Sequence, residues 1–322
     1  MVYNPGMEGR RNEYDVTNRV NVTEPDAVCN EVCRLLSNLY PKRSQKPIQD
    51  AFRIVSALFQ GTYPGYHPCD TPYHDLQHTM DVSLAMARLL CGYEMSAKRS
   101  EKLGAELVQL GLVVALFHDC GYVRRLGDRR NSNGAAYTKR HVSRGARFLA
   151  RILPGLGMAQ LVPVARKLIH FTGYEVAVPA IPLRQSEHRV LGKLLGSADL
   201  IAQMSDRCYL EKCRDRLYLE FVAAGFAGDS SKESLYRSPE DLIFKSPNFF
   251  SHVLQDRLGD VMGGMHSYAG RFFLPYKNYY QEALEQNYEY LNRVVDERDV
   301  GLLRRQPPWT LRVNQESVFS LS

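Results

Sequence analysis

Apolar residues recur along this chain at helical spacing and nowhere alternate over a strand-like run. Val28, Val32, Leu35, Leu36 and Leu39 share a face behind Thr23 as a candidate cap, and Pro41 ends that pattern, so a first helix is expected over about residues 23–40. Ile48, Phe52, Ile54, Val55, Leu58 and Phe59 mark a second over 46–60, stopped at Gly61. The stretch TYPGYHPCDTPY (62–73) then holds three prolines and a glycine, a long irregular loop of the kind that often carries function. That loop leads through His74 to His78 into a third helix, expected to run from about Thr79 to about Cys91, and on a helix His74, His78 and Asp81 would share one stripe.

The segment LVQLGLVVALFHDCG (107–121) carries no charge from Leu107 to Phe117. It is too short to cross a bilayer and reads as a helix buried on all sides, with Gly121 as its stop and His118 and Asp119 in its last turn. Further helices are expected over 138–153, 158–171 and 186–205, with Tyr- and Phe-rich helical segments beyond. The expected class is all-α. An N-terminal arm and helices (1–60) would pack on a core (61–205), followed by a helical extension of the same domain (206–305) and an extended or disordered tail (306–322).

Composition changes little in this picture: 322 residues, 44% hydrophobic and 24% charged, suffice for a large core and exclude a disordered or collagen-like chain. No basic segment followed by an apolar core opens the sequence and no apolar run reaches about 18 residues, so the expected compartment is the cytoplasm, without a membrane. Seven cysteines, none in a C-x-x-C pair, are expected to be reduced and structural. Charge matters more. Between Tyr122 and Arg151 nine bases face one acid, Asp128, a field suited to a small anionic substrate and less to nucleic acid.

An ionisable pair at the end of an apolar helix needs compensation, because burying it alone costs several kcal/mol. Collected in order, His78, His118, Asp119, His141, His170 and Asp199 give four imidazoles and two carboxylates, an N/O donor set suited to Fe, Mn, Zn, Ni or Mg. Separations of 40, 22, 29 and 29 residues suit successive antiparallel helices that each add one ligand to a bundle core. A carboxylate shared by two ions about 3.5 to 4 Å apart would make a two-metal site.

The series H…HD…H…H…D resembles the HD superfamily of metal-dependent phosphohydrolases. YHDLQHTMDV (73–82) looks like the Y-H-N-x-x-H-x-x-D-V signature of class I cyclic-nucleotide phosphodiesterases, and ALFHDCGY (115–122) and SADL (197–200) resemble further stretches of that family. The resemblance implies an HD helical bundle with His78, His118, Asp119 and Asp199 on a first divalent ion and Asp119 bridging to a second. It makes His141 and His170 ligands of that second ion, and His74 the acid that protonates the leaving oxygen. Arg144, Lys139, Arg140 and Tyr122 would face the substrate.

The implied function is a phosphodiesterase acting on a nucleotide or small signalling phosphoester, through a water whose pKa two cations lower to about 7. Departures are Asp75 in place of the family asparagine and Cys120-Gly121-Tyr122 in place of a stretch ending in histidine. Two alternatives stand beside it: a mixed-valence di-iron HD oxygenase that cleaves a C–C or C–P bond, and a non-catalytic ligand-binding HD domain.

Overall fold

The computed structural model describes residues 9–228, 234–273 and 277–309. Among them the fold is all-α: the only β features are isolated bridges, such as Tyr14 with Asn21.

Helix α1 spans Pro25–Leu39 and α2 Lys46–Phe59. Thr23 does not cap α1. Its hydroxyl and amide turn back to Asn21 Oδ1 at 2.7 and 3.0 Å, and Pro25, which has no N–H to satisfy, opens the helix instead. Helix α3, Leu76–Ser96, begins two residues after His74, because Asp75 takes the N-cap position and accepts the His78 amide. The one-face stripe expected of His74, His78 and Asp81 is therefore not formed: His74 lies ahead of the helix. Every residue of α3 from Leu76 to Glu94 except Asp81 is buried. It is the hub of the fold, packed by α1, by α4 (Gly104–Leu116), by α7 (Ser186–Ser205) and by α11 (Tyr268–Phe272). Burial on all sides is possible because its interior charges are paired: Arg88 meets Asp15 at 2.5 Å, and Glu94 accepts the Leu103 amide at 2.7 Å.

The apolar run ends earlier than the sequence suggests. Helix α4 stops at Leu116, His118 and Asp119 sit in the turn that follows, and Cys120–Tyr122 forms a single 3-10 turn. The continuous segment Gly104–Tyr122, 19 residues at mean hydropathy 1.2, is long and apolar enough to cross a membrane, contrary to expectation, yet all of it from Val108 to Tyr122 is buried inside the protein. Core packing accounts for its composition.

Helix α5 is His141–Ile152 and α6 Val162–Leu168, both shorter than the periodicity suggests: residues 138–140 form a turn ahead of α5, and 3-10 turns flank α6. Beyond α7, α8 (Tyr209–Lys212) runs through a wide π turn into α9 (Tyr218–Ala223), and α10 (Pro239–His252), α11 and α12 (Tyr279–Asp296) follow. One hydrophobic core joins Val22 to Leu303, so the segment beyond 206 belongs to the same packing unit. Of the expected tail, 306–309 is described and held: Arg216 donates to the carbonyls of Pro307 and Pro308 at 2.9 and 2.8 Å and lies 4.0 Å from the Trp309 ring centroid. The remaining tail residues, and residues 1–8 of the arm, lie outside the described residues. All seven cysteines are unpaired.

Candidate metal centre

Three elements from distant parts of the chain meet at one point. Helix α3 brings His78 from its first turn, the turn after α4 brings His118 and Asp119, and α7 brings Asp199; all four are buried. His78, His118 and Asp119 each offer a ligand atom, and these atoms lie within 4.8 Å of one another. The His118 and His78 Nε2 atoms are 3.3 Å apart, and Asp119 Oδ2 lies 3.1 Å from the first and 3.4 Å from the second. Asp199 Oδ1 reaches the same two nitrogens at 3.7 and 3.4 Å. Two donors each about 2.1 Å from a common ion stand roughly 3.0 to 3.4 Å apart for octahedral to tetrahedral angles, so these spacings suit a shared cation.

The tautomers support the same reading. His118 Nδ1 donates to the Ala115 carbonyl at 2.8 Å, which leaves its Nε2 as a lone pair directed inward. Asp119 Oδ2 is buried with no hydrogen-bond partner, although imidazole nitrogens surround it. Lone pairs facing one another in a dry pocket repel unless a positive charge sits among them. The pKa directions show how strong that demand is. Burial alone would depress His78, but Asp119 and Asp199 overcome it and push it up to about 10, and His118 is raised by the same carboxylates against its burial. A proton or a metal cation satisfies this field, and a buried N/O set favours the metal. The His78, His118 and Asp119 group can hold a metal ion.

Asp119 faces two ways. While Oδ2 points to His78 and His118, Oδ1 lies 3.6 Å from His141 Nε2, and His141 is oriented like His118, its Nδ1 donating to the Thr138 carbonyl at 2.8 Å. His141 opens α5, and Gly121 lets the 3-10 turn reach it. A Cβ at Gly121 would stand 1.8 Å from the His141 carbonyl oxygen, so this glycine serves close approach and does not stop a helix.

His170 sits in the 3-10 turn Ile169–Thr172 after α6, where it lines a separate cavity with Arg147 and Arg166, and no ion pair or hydrogen bond links it to Asp119 or Asp199 among the described residues. The Arg144 guanidinium donates to the carbonyls of Gly121 (2.6 Å) and Val123 (3.0 Å) and lies over the Tyr137 ring, so it braces the turn carrying the His-Asp pair. Lys139 and Arg140 are exposed, the first over Phe226 and the second over Tyr137, and neither pairs with a member of the cluster among the described residues. Tyr122 is buried beside the cluster, stacked on His74 at 4.5 Å and on His141 at 4.3 Å.

His74 lies at the edge of the site, its ring centroid 5.9 Å from that of His78. Its Nδ1 is 2.5 Å from Glu220 Oε2, and Glu220 Oε1 accepts the amides of Tyr73 and His74 at 2.6 and 3.1 Å. Burial pulls the His74 pKa down, but Glu220 and Asp119 outweigh it, so the imidazole is held above its ordinary value. Sequence reasoning missed Glu220. A single carboxylate inside Tyr218-Leu219-Glu220-Phe221-Val222 was its signal, the same one that marked Asp199. Asp75 is equally informative: where the resembling family has asparagine, it caps α3 and stands 3.7 Å from the buried Arg216 guanidinium.

A family model described as Npun_R2479-like matches residues 125–268, under half of the chain. The match takes in His141, Asp199 and Glu220 and begins after His118 and Asp119. No curated protein and no solved structure matches the chain. What the comparisons establish is a similarity of residues 125–268 to the Npun_R2479-like family.

Proposed function

We propose that this chain is a metal-dependent phosphoric ester hydrolase of the HD kind, acting as a phosphodiesterase on a nucleotide or small signalling phosphoester. The observation that carries the proposal is the two-way orientation of Asp119, one oxygen toward the His78 and His118 nitrogens and the other toward His141, next to a His74 imidazole held by Glu220. His78, His118, Asp119 and Asp199 would hold one divalent ion, and Asp119 with His141 would hold a second. Bound divalent ions supply the Lewis acidity that makes a water nucleophilic near pH 7 and offset charge gathering on a phosphoryl group.

The chain's own residues do the rest. With Nδ1 committed to Glu220, His74 has Nε2–H as its free donor, positioned to protonate a departing alkoxide. Tyr122 stacks on both His74 and His141, which fixes the ring planes relative to one another and excludes water between them. The di-iron oxygenase alternative rested on His141 and His170 acting together, and the position of His170 in another cavity favours the hydrolase.

Anaerobic purification with metal analysis, followed by assays on bis(p-nitrophenyl) phosphate and of O2 consumption, tests the reading. Metal-dependent phosphodiester cleavage without O2 uptake is expected. Turnover that survives complete metal removal, or O2 consumption without ester cleavage, overturns it.

A further inference from the structure

A second cavity, of about 490 Å3, opens beside α5 and α6, and Arg147, Arg166, Lys167 and His170 line it together with Val176 and Ile181. Three cationic side chains and an imidazole share this wall, and no carboxylate lines it. Such a cluster gives the wall a positive potential that attracts anions. Glu175, the acid that acts on His170, is itself engaged by Ser143 of the same wall, accepting its amide at 3.1 and 3.2 Å and its hydroxyl as well. Arg147 gives only its Nε to the Ser143 carbonyl at 3.2 Å, and Lys167 a single N–H to the Pro182 carbonyl at 2.9 Å. Both keep further donors. His170 stands in the same wall, its imidazole partly buried.

We propose that this cavity binds a small phosphate-bearing organic anion of nucleoside monophosphate size, separately from the metal centre. Arg147, Arg166 and Lys167 bind the phosphate by charge-assisted hydrogen bonds, and the His170 ring adds to the wall around the organic part. The apolar side chains of Val176 and Ile181 cover the ligand's flat body. The volume far exceeds that of inorganic phosphate, which is why an organic phosphate fits. None of the proposed metal ligands, His78, His118, Asp119, His141 and Asp199, lines the cavity.

Calorimetric titration of the metal-free full chain, in the presence of chelator, with AMP, adenosine and inorganic phosphate tests this. AMP is expected to bind, adenosine not to bind, and phosphate to bind more weakly than AMP. An Arg166→Gln/Lys167→Gln variant should weaken AMP by at least about tenfold, the loss of one charge-assisted contact or more, and added salt should weaken wild-type binding. Arg147→Gln, at an exposed position, repeats the test should the double variant not fold. Asp119→Ala should leave AMP affinity unchanged. Failure of AMP to bind, equal affinity in the basic-residue variants, binding of adenosine as tight as AMP, or loss of AMP binding in Asp119→Ala overturns the proposal. None of these outcomes depends on ester cleavage, so the cavity and the hydrolase reading fail separately.

Discussion

His74 Nδ1 lies 2.5 Å from the carboxylate of Glu220, a residue 146 positions further along the chain. The pairing opposes burial and keeps the imidazole protonated to higher pH than an ordinary histidine. Glu220→Gln keeps the shape and the amide contacts but removes one of the two charges that oppose burial, so the His74 pKa falls. The proton that His74 donates is then lost at lower pH. The alkaline limb of the kcat profile should move toward acid, and turnover above neutrality should fall by about a hundredfold, the lower end of what a general acid contributes. Metal content, measured by elemental analysis, should stay as in wild type. A profile that does not move would mean that Glu220 only braces the loop.

Asp119 and His74 should separate metal binding from turnover. A ligand that binds only the folded state stabilises it by mass action, about 2.7 kcal/mol at a hundredfold excess over Kd. Mn2+ added to chelator-treated wild type should therefore raise its Tm. Asp119→Ala removes the buried oxygen that has no other partner, and it should lose both the Tm rise and the activity. His74→Ala should keep the rise and lose turnover. A Tm response surviving in Asp119→Ala would place the cation elsewhere.

These contrasts show what the sequence could and could not carry. Helical periodicity announced α1 and α2 nearly to the residue, because each has one buried face and a proline or glycine at its ends, and it announced α7 as well, although that helix is buried on nearly every side from Leu191 onward. The His-Asp pair at 118–119 was legible because ionisable residues after an uncharged run need a partner. Two things were not. His170 shares the helix-end setting of His118, and only the direction in which the chain leaves α6 decides that it faces another cavity. Arg144 and Arg124 belong to a basic cluster that reads as a field for anions. In three dimensions Arg144 is bound to the carbonyls of Gly121 and Val123, and Arg124 to Asp70 at 2.7 Å. Charge counts along a sequence do not show which charges are already satisfied.

Arg144 should accordingly behave as a brace. Arg144→Met leaves the Gly121 and Val123 carbonyls without their donor, at a cost of about 2 kcal/mol in stability. Urea denaturation should show that loss. Metal affinity should weaken, since the turn carrying His118 and Asp119 loosens. KM should change little relative to kcat. A selective rise in KM at unchanged stability would return Arg144 to the substrate.

Gly121 makes the sharpest steric prediction. A methyl at this position would stand 1.8 Å from the His141 carbonyl oxygen and 2.9 Å from the Gly145 amide nitrogen, both backbone atoms that cannot rotate away. Gly121→Ala must therefore push the 3-10 turn and the start of α5 apart, the step that separates Asp119 Oδ1 from His141 Nε2. Overpacking of this kind costs about 3 kcal/mol. Because the strain falls between Asp119 and His141, and not among His78, His118 and Asp119, the first ion should be retained while the second is lost. Metal content near one ion per chain with strongly reduced turnover is the expected result. Two ions at wild-type affinity would show that His141 takes no part in holding the second.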